Sequence, residues 1–132
     1  MTDSIKLSVT LPATPKEIYN AWLDSEKHSA FTGSVVTIER KVGGKFSAGD
    51  GYIYGENLLL HMNKRIYQSW RTTDFPEDSE DSRVEITLTS VEKGTKLSIV
   101  QTEIPEGDGK KYRKGWKDYY FAPMKKYFSE EE

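Results

Sequence analysis

The sequence predicts an α+β fold: a curved antiparallel sheet of about six strands with a long amphipathic C-terminal helix laid across it. Three observations carry this. From Gly43 to Trp70, glycine-rich turns separate runs of aromatic and aliphatic residues, the pattern of a three-strand meander. Ile5, Leu7, Val9 and Leu11, and later Val84, Ile86 and Leu88, alternate with polar residues, which is the period of a strand with one buried face. From Lys110 to Phe128 the period changes. Tyr112, Trp116, Tyr119, Tyr120, Pro123, Tyr127 and Phe128 recur at spacings of three and four, one broad aromatic face on a helix about 28 Å long.

In chain order, Pro12 ends the first strand, and Thr14-Pro15-Lys16-Glu17 is a capping box with proline at the first helical position. Ile18, Ala21 and Trp22 fall on one face of that short helix. Ser25 is the expected cap of a second short helix running through Phe31 and stopped by Gly33. Val35 to Glu39 reads as a strand. Gly43-Gly44 and Gly49-Asp50-Gly51 are assigned the positive φ of turns, and Asn63-Lys64-Arg65 breaks the meander again. Asp74 to Asp81 is a loop, too acidic and turn-rich to pack. Glu92-Lys93-Gly94 joins the run at Val84 to a return through Leu97, Ile99 and Val100, a second hairpin. Pro123 frees the Tyr119 carbonyl, so a kink is expected there, and Glu130 to Glu132 reads as a frayed tail.

At 132 residues the chain is expected to form a single domain, 1–132, with no repeat or linker dividing it. Nineteen Lys and Arg against 21 Asp and Glu give no global field toward nucleic acid or an anionic membrane. The absence of cysteine removes disulfide scaffolds, thiolate metal sites and thiol nucleophiles. No stretch has the length and apolarity of a membrane span, and Met1 to Val9 lacks the pattern of a signal peptide, so a cytoplasmic location is expected.

Ordered patches along nearly the whole chain resemble one family. They are Ser29-Ala30-Phe31-Thr32, Lys41 to Ser47, Asp50-Gly51, Gly55-Glu56, Gln68-Ser69-Trp70-Arg71, Gln101-Thr102 with Ile104 to Asp108, and Gly115-Trp116 through Tyr119 to Pro123. The chain resembles the activators of the ninety-kilodalton heat-shock chaperone's ATPase, a branch of the START-related, birch-pollen-allergen-like superfamily. The resemblance implies a helix-grip fold, in which the sheet bends around the last helix and two short helices close one end. It implies the heat-shock chaperone as partner, no cofactor and no enzymatic activity. Read as starting at this domain, the chain is expected to lack the preceding one that clamps the chaperone's middle segment in the co-chaperone. The fold is therefore expected to transfer better than the activator function.

In the superfamily the space between sheet and helix is often an apolar cavity. Here its expected lining is Phe31, Phe46, Tyr54, Ile66, Gln68, Trp70, Val84, Ile86, Leu97, Ile99, Trp116, Tyr119 and Tyr120. Polar-tipped rings facing inward suit a small, mostly apolar ligand with a few polar atoms, or else they fill the core and need hydrogen-bond partners. The other chemistry is sparse. His28 and His61 are read as surface or turn residues, and the Glu77 to Asp81 run as a solvated loop without the spacing of a calcium site. Glu56, Glu85, Glu103 and His61 are the titratable groups available to a cyclase or hydrolase, none with an evident partner. Lys110, Lys111, Arg113, Lys114, Lys117, Lys125 and Lys126 give the last helix a basic polar face, read as solubilising or as a docking face for an acidic surface. Nucleic acid is disfavoured, because the aromatic residues lie on a different face from the cations.

Overall fold

Local chemistry sets most element boundaries in the computed structural model, which describes residues 2–130. Strand β1 (Thr2–Leu11) gives way to α1 (Pro15–Trp22) through the expected box. Thr14 Oγ1 accepts the Glu17 amide at 3.1 Å and the Glu17 carboxylate accepts the Thr14 amide at 3.0 Å. Helix α2 (Ser25–Thr32) is capped one residue earlier than expected, by Asp24, whose carboxylate accepts the Lys27 amide. Ser25 is occupied elsewhere. Its hydroxyl accepts the Ile38 amide at 2.8 Å, and the Ser29 hydroxyl accepts that of Val36 at 2.9 Å. With these side chains binding the segment, only β2 (Thr37–Ile38) of the expected 35–39 strand joins the sheet.

The meander forms as β3 (Lys45–Ala48), β4 (Ile53–His61) and β5 (Arg65–Thr72), with positive φ at Gly49, Asp50, Gly51 and Asn63 in its turns. Of the glycine pair only Gly43 has positive φ. Gly44 serves close approach instead, since a Cβ there would lie 2.5 Å from the Glu39 carbonyl oxygen. Strands β6 (Ser82–Val91) and β7 (Gly94–Pro105) make the second hairpin, and β1 closes on β7. The sheet is antiparallel throughout in the order β1-β7-β6-β5-β4-β3-β2, seven strands where about six were expected. The loop after β5 does pack, contrary to its acidic composition. Phe75 is buried against Trp70 and Tyr112, and Arg71 gathers the Pro76 and Ser79 carbonyls and the Asp81 carboxylate.

The C-terminal helix runs as α3 (Gly109–Trp116), a π turn (Lys117–Phe121) and α4 (Ala122–Glu130). The disturbance expected at Pro123 therefore appears in the preceding turn, where the Ala122 amide bonds back five residues to the Lys117 carbonyl. Widening that turn gives the proline ring room beside the Tyr119 carbonyl. Glu130 ends α4, while the rest of the expected frayed tail, Glu131 and Glu132, lies outside the described residues. The helix sets Tyr112, Trp116, Tyr120, Met124 and Phe128 against Leu7, Ile66, Val84, Ile86, Leu97 and Ile99 of the sheet, all buried in one core. This is the helix-grip arrangement that the resemblance implies.

Candidate binding groove

The rings between sheet and helix need homes for their polar tips, and side chains of the sheet and of α2 supply them. Trp116 Nε1 donates to Gln101 Oε1 at 2.8 Å, Gln101 Nε2 donates to Ser82 Oγ at 3.0 Å, and that hydroxyl donates to the Trp70 carbonyl at 2.6 Å. The Tyr112 hydroxyl and Thr72 Oγ1 lie 2.7 Å apart. Gln68 Nε2 donates to Asn57 Oδ1 at 2.9 Å. Among the described residues every buried side-chain nitrogen and oxygen has a partner.

His28 is the residue most displaced from its expected surface position. It is 2% exposed, wedged between Trp22 and Phe31 with ring centroids 5.1 and 4.7 Å away. Nδ1 is 2.8 Å from the Trp22 carbonyl oxygen, which can only accept, so the proton sits on Nδ1. Nε2, 2.9 Å from the Tyr120 hydroxyl, then accepts from it. Burial pulls the imidazole pKa down to about 4 against the opposing carbonyl bond, and burial pushes the Tyr120 phenol up. His28 is a neutral structural link between α2 and the last helix. The sequence around it, Ser25 to Thr32, has too few apolar residues to mark an inward face.

A groove of about 610 Å³ opens beside this core, between α3 with its π turn and the β3–β4 turn. Trp70, Tyr112, Trp116 and Tyr120 form its floor, with Trp70 5.2 Å from Tyr112 and 5.6 Å from Trp116 between ring centroids. Thr32, Ser34, Gly49, Tyr52 and Ile53 make one wall, and Lys111, Lys114, Gly115, Asp118 and Tyr119 the other. Asp74 spans one end, accepting from Lys111 Nζ and from the Tyr52 hydroxyl, each at 2.7 Å. The Lys111 bond first, and the Tyr52 bond second, hold the Asp74 carboxyl below its ordinary range, and Asp74 in turn raises Lys111. Burial raises the Tyr112 phenol to about 12, opposed by its bond with Thr72.

Of the expected lining, the groove brings together Trp70, Trp116, Tyr119 and Tyr120. Phe31, Phe46, Ile66, Gln68, Val84, Ile86, Leu97 and Ile99 are buried in the packed interior and do not reach the groove surface. The expectation of inward-facing rings is corrected at two positions. Tyr54 is 42% exposed and borders a shallow patch with Arg71 and Phe75, and Tyr119 is 70% exposed at the groove rim. The unexpected lining from Thr32, Ser34 and the β3–β4 turn comes from chain segments brought together only by topology. The helical lining carried local signals: Tyr112 on the aromatic face, Lys111 and Lys114 on the basic face, and Gly115 as a glycine inside a helical pattern. Of the groups available to an enzyme, Glu85 pairs with Arg65 at 3.0 Å, Glu103 and His61 are exposed, and neither they nor Glu56 lines the groove.

Comparison with known proteins identifies the family. Residues 12–129 match the family model described as activator of Hsp90 ATPase homolog 1-like protein. The chain is 35% identical over 129 residues to the human activator of 90 kDa heat shock protein ATPase homolog 1, covering 96% of this chain and 37% of the relative. It is 36% identical over 129 residues to the homolog from Dictyostelium discoideum, covering 97% and 33%. The chain thus spans about a third of the length of these curated relatives. Among solved structures, an HSP90 activator from Plasmodium falciparum superposes with a TM-score of 0.78 at 28% identity, over 90% of each chain.

Proposed function

This chain belongs to the activator of Hsp90 ATPase homolog 1-like family, and from that premise we propose that residues 1–132 form one non-enzymatic interaction module that engages the 90 kDa heat-shock chaperone in the cytoplasm. The observation that supports it best is the filled interior. The sheet-facing side chains Val84, Ile86, Leu97 and Ile99 are at most 1% exposed beneath the helix, and the buried polar atoms satisfy one another. Among the described residues this packing of sheet against helix favours recognition at the surface over capture of a lipid or substrate inside. A cyclase or hydrolase would need a titratable group free to act in the groove, and the two phenols of the floor are engaged within the core, Tyr112 with Thr72 and Tyr120 with His28. The proposal concerns binding, since the named relatives are about three times longer.

The test is a titration of the purified chain with the chaperone's isolated domains and with the whole chaperone, following affinity and ATPase rate. Saturable binding to one domain supports the reading, and absence of both binding and rate change removes it. The 610 Å³ groove favours a second reading, a site for a small, mostly apolar ligand. A thermal-shift series with fatty acids, sterols and aromatic polyketide-like compounds should then give stabilisation that grows with ligand concentration. A flat response across that set counts against it.

A further inference from the structure

We infer that the groove and the cationic face of the C-terminal helix form one docking surface for an acidic segment of a partner protein, with an apolar side chain of that segment seated on the Trp70–Tyr112–Trp116 floor. This rests on the reading of the chain as a chaperone-binding module.

Charge is distributed unevenly. Residues 109–130 hold seven of the 19 cationic residues and two of the 21 acidic ones, which leaves twelve against nineteen in the remainder. The chain is nearly neutral overall, and its positive charge is concentrated in the C-terminal helix. Among the described residues Lys110 and Lys117 take part in no ion pair. Lys111 and Lys114 are held by Asp74 and Asp118 in exposed pairs, which contribute little and can be exchanged for a partner's carboxylates.

The groove opens on this same helix. Its helical wall is uncharged only at Gly115 and Tyr119, and its opposite wall carries no formal charge. Gly115 makes a notch there, since nothing lies within 4 Å of where its Cβ would be. Tyr119, 70% exposed beside the notch, is the type of residue that anchors interfaces.

The dimensions select the occupant. From Lys110 to Lys126 the cations extend about 24 Å along the helix axis, the length of about seven residues of extended chain. A fatty acid presents one carboxylate and would leave most of that row unused. A nucleic acid would meet a net excess of seven carboxylates on the rest of the molecule, and the floor rings Trp70, Tyr112 and Trp116 are at most 5% exposed, too recessed for bases to stack on in succession. An acidic polypeptide uses both the row and the groove.

The experiment measures association and dissociation rates of the full chain with the purified 90 kDa heat-shock chaperone at low and high salt. Three forms are compared with the unaltered chain: K110E/K114E/K117E, G115W, which fills the notch from outside the core, and a control reversal of three exposed lysines elsewhere, K16E/K45E/K96E. The helix reversal should slow association about tenfold at low salt, with the difference shrinking to about twofold at high salt. G115W should raise the dissociation rate about tenfold, and the control should bind within about twofold of the unaltered chain. Each form is checked for an unchanged thermal transition.

An unaltered chain that fails to bind overturns the module reading, and the inference with it. An unaltered chain that binds, with the helix reversal and G115W binding equally well, overturns the inference alone. So does dodecanoate or a 20-nucleotide oligothymidine held by the unaltered chain and lost in either variant while chaperone binding is unchanged.

Discussion

Acidification should destabilise this protein through His28 at pH values above the ordinary carboxylate range. The imidazole is neutral in the folded state, with a pKa near 4, against 6.5 in the unfolded chain. Above about pH 6.5 neither state binds the proton and the stability is at its full value. As pH falls below that, the unfolded chain takes up the proton first and stability is lost, until the folded state also protonates near pH 4. At pH 5 the unfolded imidazole is almost fully charged and the folded one about a tenth charged, which costs about 2 kcal/mol. The full loss, reached below pH 4, is about 3 kcal/mol.

The assay is urea denaturation at about pH 7.5 and pH 5 for the unaltered chain and for His28→Gln, whose amide can still donate to the Trp22 carbonyl and accept from Tyr120. Glu17 and Asp74, whose carboxyls are also held below their ordinary range, contribute equally to both proteins and cancel. The variant should be less stable at pH 7.5 and should show a pH dependence smaller by about 2 kcal/mol. Equal pH dependence in the two proteins, or a proton-resonance titration of His28 centred near pH 6.5, would refute the reasoning.

The remaining predictions concern packing and caps. Gly55→Ala should prevent folding or cost more than about 3 kcal/mol, because its Cβ would lie 2.0 Å from the Ser69 carbonyl oxygen and push β4 off β5. Gly115→Ala, with open space at the same atom, should instead stabilise by up to about 1 kcal/mol, read from the urea midpoint. Trp116→Phe leaves Gln101 Oε1 without its donor and should cost about 1–3 kcal/mol in the same assay. Thr14→Ala, which removes the cap of α1, should cost about 1 kcal/mol. Arg71→Met should speed protease cleavage within residues 76–81 with a smaller effect on the global transition, since three of its bonds hold that loop.

What the sequence made legible was what neighbours in the chain decide among themselves. The period-2 runs at Ile5–Leu11 and Val84–Leu88, the Gly49–Gly51 turn and the Thr14 box each depend on residues within one strand or one helical turn, and each formed where expected. The errors lie where a distant partner outvotes local character. Ser25 gave up its capping role because Ile38, thirteen residues on, offered an amide. Phe75 sank into the core out of an acidic loop because Trp70 and Tyr112 presented ring faces to it. His28 is buried because Tyr120, ninety-two residues away, supplies the donor that its second nitrogen requires. The groove belongs to this class. Its two walls come from segments that only the sheet order brings face to face.

The aromatic face of the last helix shows how a correct residue list can still yield a wrong orientation. Tyr112, Trp116, Tyr120, Met124 and Phe128 are spaced by four, and in a regular α-helix each step of four overshoots a full turn by about 40°, so the row would drift about 160° around the helix. At that drift Phe128 would point away from the sheet that Tyr112 faces. A π turn absorbs one extra residue and takes back about 100°, leaving a drift of about 60° that a curved sheet can follow. The wide turn at Lys117–Phe121 lies midway along the row, where it brings both ends within reach of the core, and all five side chains are buried. Tyr119 and Tyr120, adjacent in sequence, stand about 100° apart on an α-helical wheel, so the row that buries one leaves the other outside it. Tyr120 bonds to His28, and Tyr119 stands at the groove rim at 70% exposure. The wide turn that keeps Tyr120 in register with both ends of the buried row therefore leaves its neighbour's phenol at the mouth of the groove.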